Sequence, residues 1–172
     1  MLTASKAEPN SELVRHMADN PGAVIEEVAK QHSVTPRSVV EPLPAEMRRF
    51  APAQAFVDAM DDISTWGDVT LIVHTDDGVM EFTGAVPKGK VSHGYFNLMG
   101  TTGLHGHLRH ERCAGLAFVE RPFMGKRSML IVFFNVDGGV MYKVFVGRDE
   151  KRELKADQVT AFRALAERIG AA

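Results

Sequence analysis

Seven histidines occur in this chain, and five of them, His74, His93, His105, His107 and His110, fall between positions 74 and 110. Imidazole is the commonest protein ligand for metals and the one side chain whose ordinary pKa lies near neutrality, so this grouping suits metal coordination. The apparatus of other reactions is missing from the sequence. No serine sits in a nucleophile elbow, no glycine-rich phosphate loop precedes a helix, and neither His-Glu-x-x-His nor Cys-x-x-Cys occurs. The single cysteine, Cys113, excludes an intrachain disulfide framework and a multi-cysteine zinc site. Between Arg112 and Ala114, with no base partner in view, it reads as structural.

Strand alternation sorts the histidines. If 104–109 is extended, His105, His107 and Arg109 point to one face while Leu104, Gly106 and Leu108 point to the other. Gly106 leaves room for another backbone or a flat ligand on its own side. Over 69–75, His74 shares a face with Thr70 and Ile72, and Leu71 and Val73 belong to the opposite one. His16 and His32 lie in helical segments and read as surface residues. Phe133, Phe134 and Phe145 read as core, whereas Met99, Met124 and Met141 suit either gap filling or an adaptable apolar pocket.

The elements that must position these residues fall in a simple order. Apolar residues recur at helical spacing through 11–43, broken at Asn20-Pro21-Gly22, and 22–43 has the outline of a helix-turn-helix in which Thr35 and Pro36 open the second helix. Another helix is expected over 53–65, with Phe56, Met60 and Ile63 on one face. The period then changes to that of strands: 69–75 and 79–83 flank Asp76-Asp77-Gly78, a hairpin signal, and 94–99, 104–109, 115–121, 128–135 and 140–146 follow. Connections so short favour antiparallel neighbours. A closing helix over 155–169 carries Val159, Phe162, Leu165 and Ile169 as a stripe. The expected architecture is α+β: a long antiparallel meander of seven strands with helices packed on one side, after a short helical N-terminal preface. Residues 1–50 form that preface, part of the same domain as the sheet and helices of 51–172.

Composition sets limits on partners. The 172 residues are 45% apolar and 24% charged, as in one ordinary globular domain, and 20 Lys plus Arg against 22 Asp plus Glu leave no electrostatic footprint for nucleic acid or an anionic membrane. The second helix of the helix-turn-helix outline offers only Arg37 and Ser38 before Glu41, too little for a DNA groove. Met1 to Asn10 contains no apolar stretch of the kind a secretion signal needs, and the longest apolar run, 129–134, is far too short to cross a bilayer. A reducing cytoplasm is the expected compartment.

In chain order, Trp66-Gly67-Asp68-Val69-Thr70, Val73-His74-Thr75, His93-Gly94-Tyr95-Phe96-Asn97-Leu98, Gly106-His107-Leu108, Phe123-Met124-Gly125, Phe133-Phe134-Asn135 and Phe145-Val146-Gly147-Arg148-Asp149 can be read off the sequence. This series resembles the HutX/ChuX family of cytosolic haem-utilisation carriers, and more loosely the resemblance extends over the preface. It implies a fold close to one half of the tandem haemin-transport and haemin-degrading proteins, with a homodimer replacing the missing half. It also implies reversible haem binding in bacterial iron acquisition, with transient haem donor or acceptor proteins. Carried over residue by residue, it implies His74 and His107 as the haem ligands. Porphyrin needs an imidazole for iron, an apolar floor and cations for its propionates. Ile72 beside His74, Arg109 near His107, and Lys88, Lys90, Lys126 and Arg127 are the candidates for the last two needs. The alternatives are a haem-degrading enzyme, or a protein of this fold that binds copper or regulates instead.

Overall fold

A computed structural model describes residues 10–171; residues 1–9, read above for a secretion signal, lie outside the described residues. The described part of the preface forms three short α-helices. The Asn10 side chain caps α1 (Ser11–Asp19) by accepting from the Glu12 amide at 3.1 Å. Ser33, at a left-handed φ of 54°, ends α2 (Ile25–His32). Thr35 caps α3 (Pro36–Val40) by accepting from the Ser38 amide, and Pro36 occupies the first turn, where its missing N–H costs nothing. The segment after it, which carries no strand signal in the sequence, forms β1 (Arg48–Pro52). It is an edge strand, the place where a proline is tolerated.

After α4 (Phe56–Ile63) come β2 (Asp68–Thr75), β3 (Gly78–Ala85), β4 (Gly89–Ser92), β5 (Tyr95–Leu98), β6 (Gly106–Leu108), β7 (Cys113–Phe123), β8 (Lys126–Asn135) and β9 (Val140–Phe145). The chain closes on α5 (Ala156–Ile169). All pairings are antiparallel, and the class is α+β. In place of one seven-stranded meander, nine strands among the described residues form two sheets, β1-β7-β8-β9-β2-β3 and β4-β5-β6. Pro87, between β3 and β4, cannot donate to a ladder and marks the division. Closing the large sheet by pairing β9 with β2, Leu71 opposite Val144, joins segments far apart in sequence.

Helices cover both faces of the large sheet. Phe56, Ala59, Met60 and Ile63 of α4 and Phe162 and Leu165 of α5 pack with Leu116, Phe118, Met129, Ile131 and Phe133. The small sheet joins that face through Phe96 and Leu98, and Gly89 makes room for it, because a Cβ there would overlap the Phe96 ring. On the opposite face Leu13, Met17, Ile25, Val28, Val39 and Val40 of the preface meet Ala117, Val119, Leu130, Val132 and Phe134. The physical reason lies in β8: its run from Met129 to Phe134 is apolar at every position and wholly buried, and such a strand needs cover on both sides. No helix among the described residues is long and apolar enough to cross a membrane.

Candidate functional site

The small sheet aims alternate residues in opposite directions. Phe96 and Leu108 are paired and face inward, so Asn97 and its partner His107 face outward, with Lys90 opposite Asn97 on the other side. Lys90, Asn97 and His107 therefore form a row across three strands. The Asn97 amide donates to the carbonyls of Lys90 and Ser92, both at 3.1 Å, which turns its oxygen toward His107. That oxygen lies 2.6 Å from His107 Nδ1. With Nδ1–H donating there, Nε2 carries the free lone pair. The Tyr95 ring stands edge-on to His107 at 5.9 Å, and the Arg109 guanidinium lies 5.5 Å from the Tyr95 ring centre. An exposed imidazole, an aromatic ring and two cations thus share one open surface.

His74 occupies a different setting. It is on the face of the large sheet toward the preface, at the end of β2 and opposite Val79. Its Nδ1 lies 3.3 Å from Glu26 Oε2 of α2, and Lys143 Nζ of β9 lies 2.7 and 2.8 Å from the two Glu26 oxygens. The side chains of His74, Glu26 and Lys143 are only 20, 12 and 8% exposed. Burial pushes the Lys143 ammonium below its ordinary range, and the Glu26 charge works against that shift. Arg121 of β7, buried nearby, donates to the carbonyls of Pro21 at 2.9 Å and Ala23 at 2.7 Å. Burial lowers its pKa to about 10, again opposed by Glu26. Beside His74 opens a shallow hollow whose wall includes Ala29, Val34, Pro36 and Val140, with Lys30 and Asp76 paired at its rim.

The structure does not bring the two histidines together. His74 faces the preface, whereas His107 points away from a small sheet packed on the other face of the large one. Of the remaining histidines, His105 precedes β6, which is shorter than the expected 104–109, and its Nδ1 lies 3.0 Å from the Gly103 carbonyl. His93 forms the tight turn between β4 and β5 at φ 54°, with Nδ1 2.6 Å from Ser92 Oγ. His110 begins a single helical turn against Phe56. His16 and His32 are not free surface residues: their nitrogens meet at 2.9 Å and both rings are half-buried between α1 and α2. Helical spacing gives each residue's face but not which helix covers it, and the second helix supplies that cover.

Lys88 precedes β4, and Lys90 on β4 shares the row of Asn97 and His107; Lys126 and Arg127 begin β8 in the large sheet, where Arg127 lies 3.8 Å from Glu120. Glu26, Lys143, Arg121 and Asn97 were not singled out by the sequence patterns. A lysine between Tyr142 and Val144 in an otherwise apolar strand was the available signal.

Among the described residues no group of three or more His, Cys, Asp or Glu side chains is placed to hold a bare metal ion. One imidazole per site fits a ligand whose iron already has four porphyrin nitrogens. Residues 49–165 match the model of the family described as haem utilisation ChuX/HutX. The chain belongs to this family. It is 40% identical over 139 residues to the intracellular haem transport protein HutX of Vibrio cholerae, covering 80% of this chain and 72% of that one. The crystal structure of an Erwinia carotovora protein superposes with a TM-score of 0.88 at 44% identity, over 91% of this chain and 98% of that one. The haem-binding protein ChuX gives 0.83 at 40% identity, over 91 and 97%. Haem-bound PhuS of Pseudomonas aeruginosa shares the fold at a TM-score of 0.73 and 16% identity, and this chain, covered in full, matches 50% of it. The fold is thus a single-half relative of the tandem one.

Proposed function

We propose that this protein is a non-enzymatic carrier that binds haem in the cytoplasm and hands it over intact during haem-iron utilisation, with His74 and His107 as iron ligands, each at its own site. The observation that carries this reading is the outer face of the small sheet in a member of this family. His107 presents a fixed, exposed Nε2 there, Tyr95 offers an aromatic wall, and Lys90 and Arg109 supply charges for propionates. An open site suits a carrier, because release must be fast enough for transfer to a transient donor or acceptor. Residues 1–50 and 51–172 are read as one domain, on the support that preface and sheet share an apolar core.

The carrier is proposed to act as a homodimer. Support comes from the tandem relative, which is twice this length, and from β3, an edge strand with Val79 53% and Met80 65% exposed. A second copy would cover that apolar edge. Sedimentation as a strict monomer at micromolar concentration overturns this part.

A haemin titration tests the function. The parent should give a saturating Soret shift at no more than two haemins per chain, weakened and displaced in His74→Ala and His107→Ala but unchanged in His93→Ala and His105→Ala. The reverse pattern means the ligands are misassigned. A parallel copper titration with tight binding and no Soret response would favour the bare-metal reading. With reductant and oxygen the bound haem should stay intact; stoichiometric conversion to a defined tetrapyrrole would make the protein an enzyme.

A further inference from the structure

Beneath α2 the fold encloses charges in a place where apolar residues would pack more easily. Lys143 alone would balance Glu26, yet the Glu26 carboxylate also lies 3.3 Å from His74 Nδ1. Its position is fixed from two sides: Lys143 Nζ reaches both of its oxygens, and Arg121 grips the carbonyls of Pro21 and Ala23 just before α2 begins. A carboxylate held rigidly behind an imidazole is the arrangement that orients metal-binding histidines and raises the basicity of the opposite nitrogen.

We propose that Glu26 is a positioning residue for haem capture: its carboxylate charge, 3.3 Å from His74 Nδ1, favours the tautomer with the proton on Nδ1, holds the ring orientation and leaves a strengthened Nε2 for the iron. The inference rests on the reading of His74 as a haem ligand. Two consequences follow from the charge of Glu26. A more basic imidazole stabilises ferric over ferrous haem, and it binds iron more tightly. Lys143 moderates both, because it competes with His74 for the same carboxylate.

The test uses haem-loaded full-length protein. Resonance Raman of the ferrous form and spectroelectrochemistry are recorded for the parent, His74→Ala, Glu26→Gln and the double variant Glu26→Gln with Lys143→Met. The double variant removes both buried charges, so it keeps the comparison open if the lone Gln leaves Lys143 unbalanced and fails to fold. The iron–histidine stretching band lost in His74→Ala is thereby assigned to His74. In Glu26→Gln and in the double variant that band should move to lower frequency, the ferric/ferrous midpoint should move positive, and haemin affinity should fall by about ten-fold. If the band and midpoint hold in both Glu26 variants while His74→Ala loses the band, Glu26 does not position the ligand and the haem site itself stands. If His74→Ala retains the parent's spectrum, the ligand reading fails instead, and this inference with it.

Discussion

His74 and His107 each turn Nδ1 toward an oxygen, at 3.3 and 2.6 Å, but the oxygens differ in charge, burial and support. Behind His74 stands a carboxylate held among buried ions between α2 and the large sheet. Behind His107 stands a neutral, half-buried amide, oriented by three carbonyls of its own hairpin. The first arrangement draws on three elements distant in sequence, so damage to it spreads through the fold. The second is built almost wholly within β4, β5 and β6 and can be altered without disturbing the rest. Fixing a ring is therefore a global matter at one histidine and a local matter at the other.

The largest contrast should appear in stability. Removing one partner of a buried ion pair leaves the other charge without compensation, at a cost of about 3–5 kcal/mol. Lys143→Ala should fall near the lower end, about 3 kcal/mol, because His74 and the charge of Arg121 remain near Glu26. In a chain of this size that lowers the unfolding midpoint by on the order of 10 °C. Replacing both partners with apolar residues, Glu26→Leu with Lys143→Met, should recover most of the loss. Chemical denaturation measures each value. A midpoint for Lys143→Ala equal to that of the parent would erase the proposed difference between the two regions.

The next effect belongs to the small sheet. Asn97→Ala removes the acceptor for His107 and three amide hydrogen bonds within the hairpin, at a half-buried position. Haemin affinity should fall by about ten-fold as His107 loses its fixed orientation, while the unfolding midpoint changes far less than in Lys143→Ala. An Asn97→Asp variant sharpens the comparison, since it places a carboxylate behind His107 as Glu26 is placed behind His74. It keeps an acceptor for the His107 Nδ1–H but gives up donation to the Lys90 and Ser92 carbonyls, so haemin affinity should lie between those of the parent and Asn97→Ala while the haem midpoint shifts negative. Equal haemin affinity in the parent and Asn97→Ala would mean that Asn97 does not orient the ligand.

Much of this was legible in the sequence, for definite reasons. The helices were readable because caps such as Thr35-Pro36 and stripes such as Phe56, Met60 and Ile63 are local patterns. The direction of His107 followed from alternation, which needs only a correct strand, although β6 proved to be three residues long. What stayed hidden was non-local. Nothing in 48–52 announces a strand, because β1 exists through its pairing with β7. Glu26 looks like an ordinary surface charge, and Lys143 only out of place in an apolar strand, until α2 is laid over β9, 117 residues away. His16 and His32 likewise become a pair only when α1 meets α2. Alternation put His74 on its face but could not say that the preface covers that face.

The smallest effect sharpens the boundary of the buried region. Lys30 of α2 and Asp76 of the β2–β3 turn meet at 2.6 Å on the rim of the His74 hollow, with side chains 66 and 83% exposed. The hydrogen bond from Lys30, and then its charge, hold the Asp76 carboxyl below its ordinary range. A depressed carboxyl means that the unfolded chain takes up a proton before the folded one, so any contribution is present at neutral pH and fades as pH falls through the folded value. Water and salt screen an exposed pair of this kind strongly. Lys30→Gln should therefore shift the unfolding midpoint by roughly a degree at most, with the difference vanishing at high salt and again in acid where Asp76 is protonated. A large, salt-insensitive loss in Lys30→Gln would place this pair inside the same buried network as Glu26 and Lys143. The salt dependence, read beside that of Lys143→Ala, locates where solvent stops screening the ions around His74.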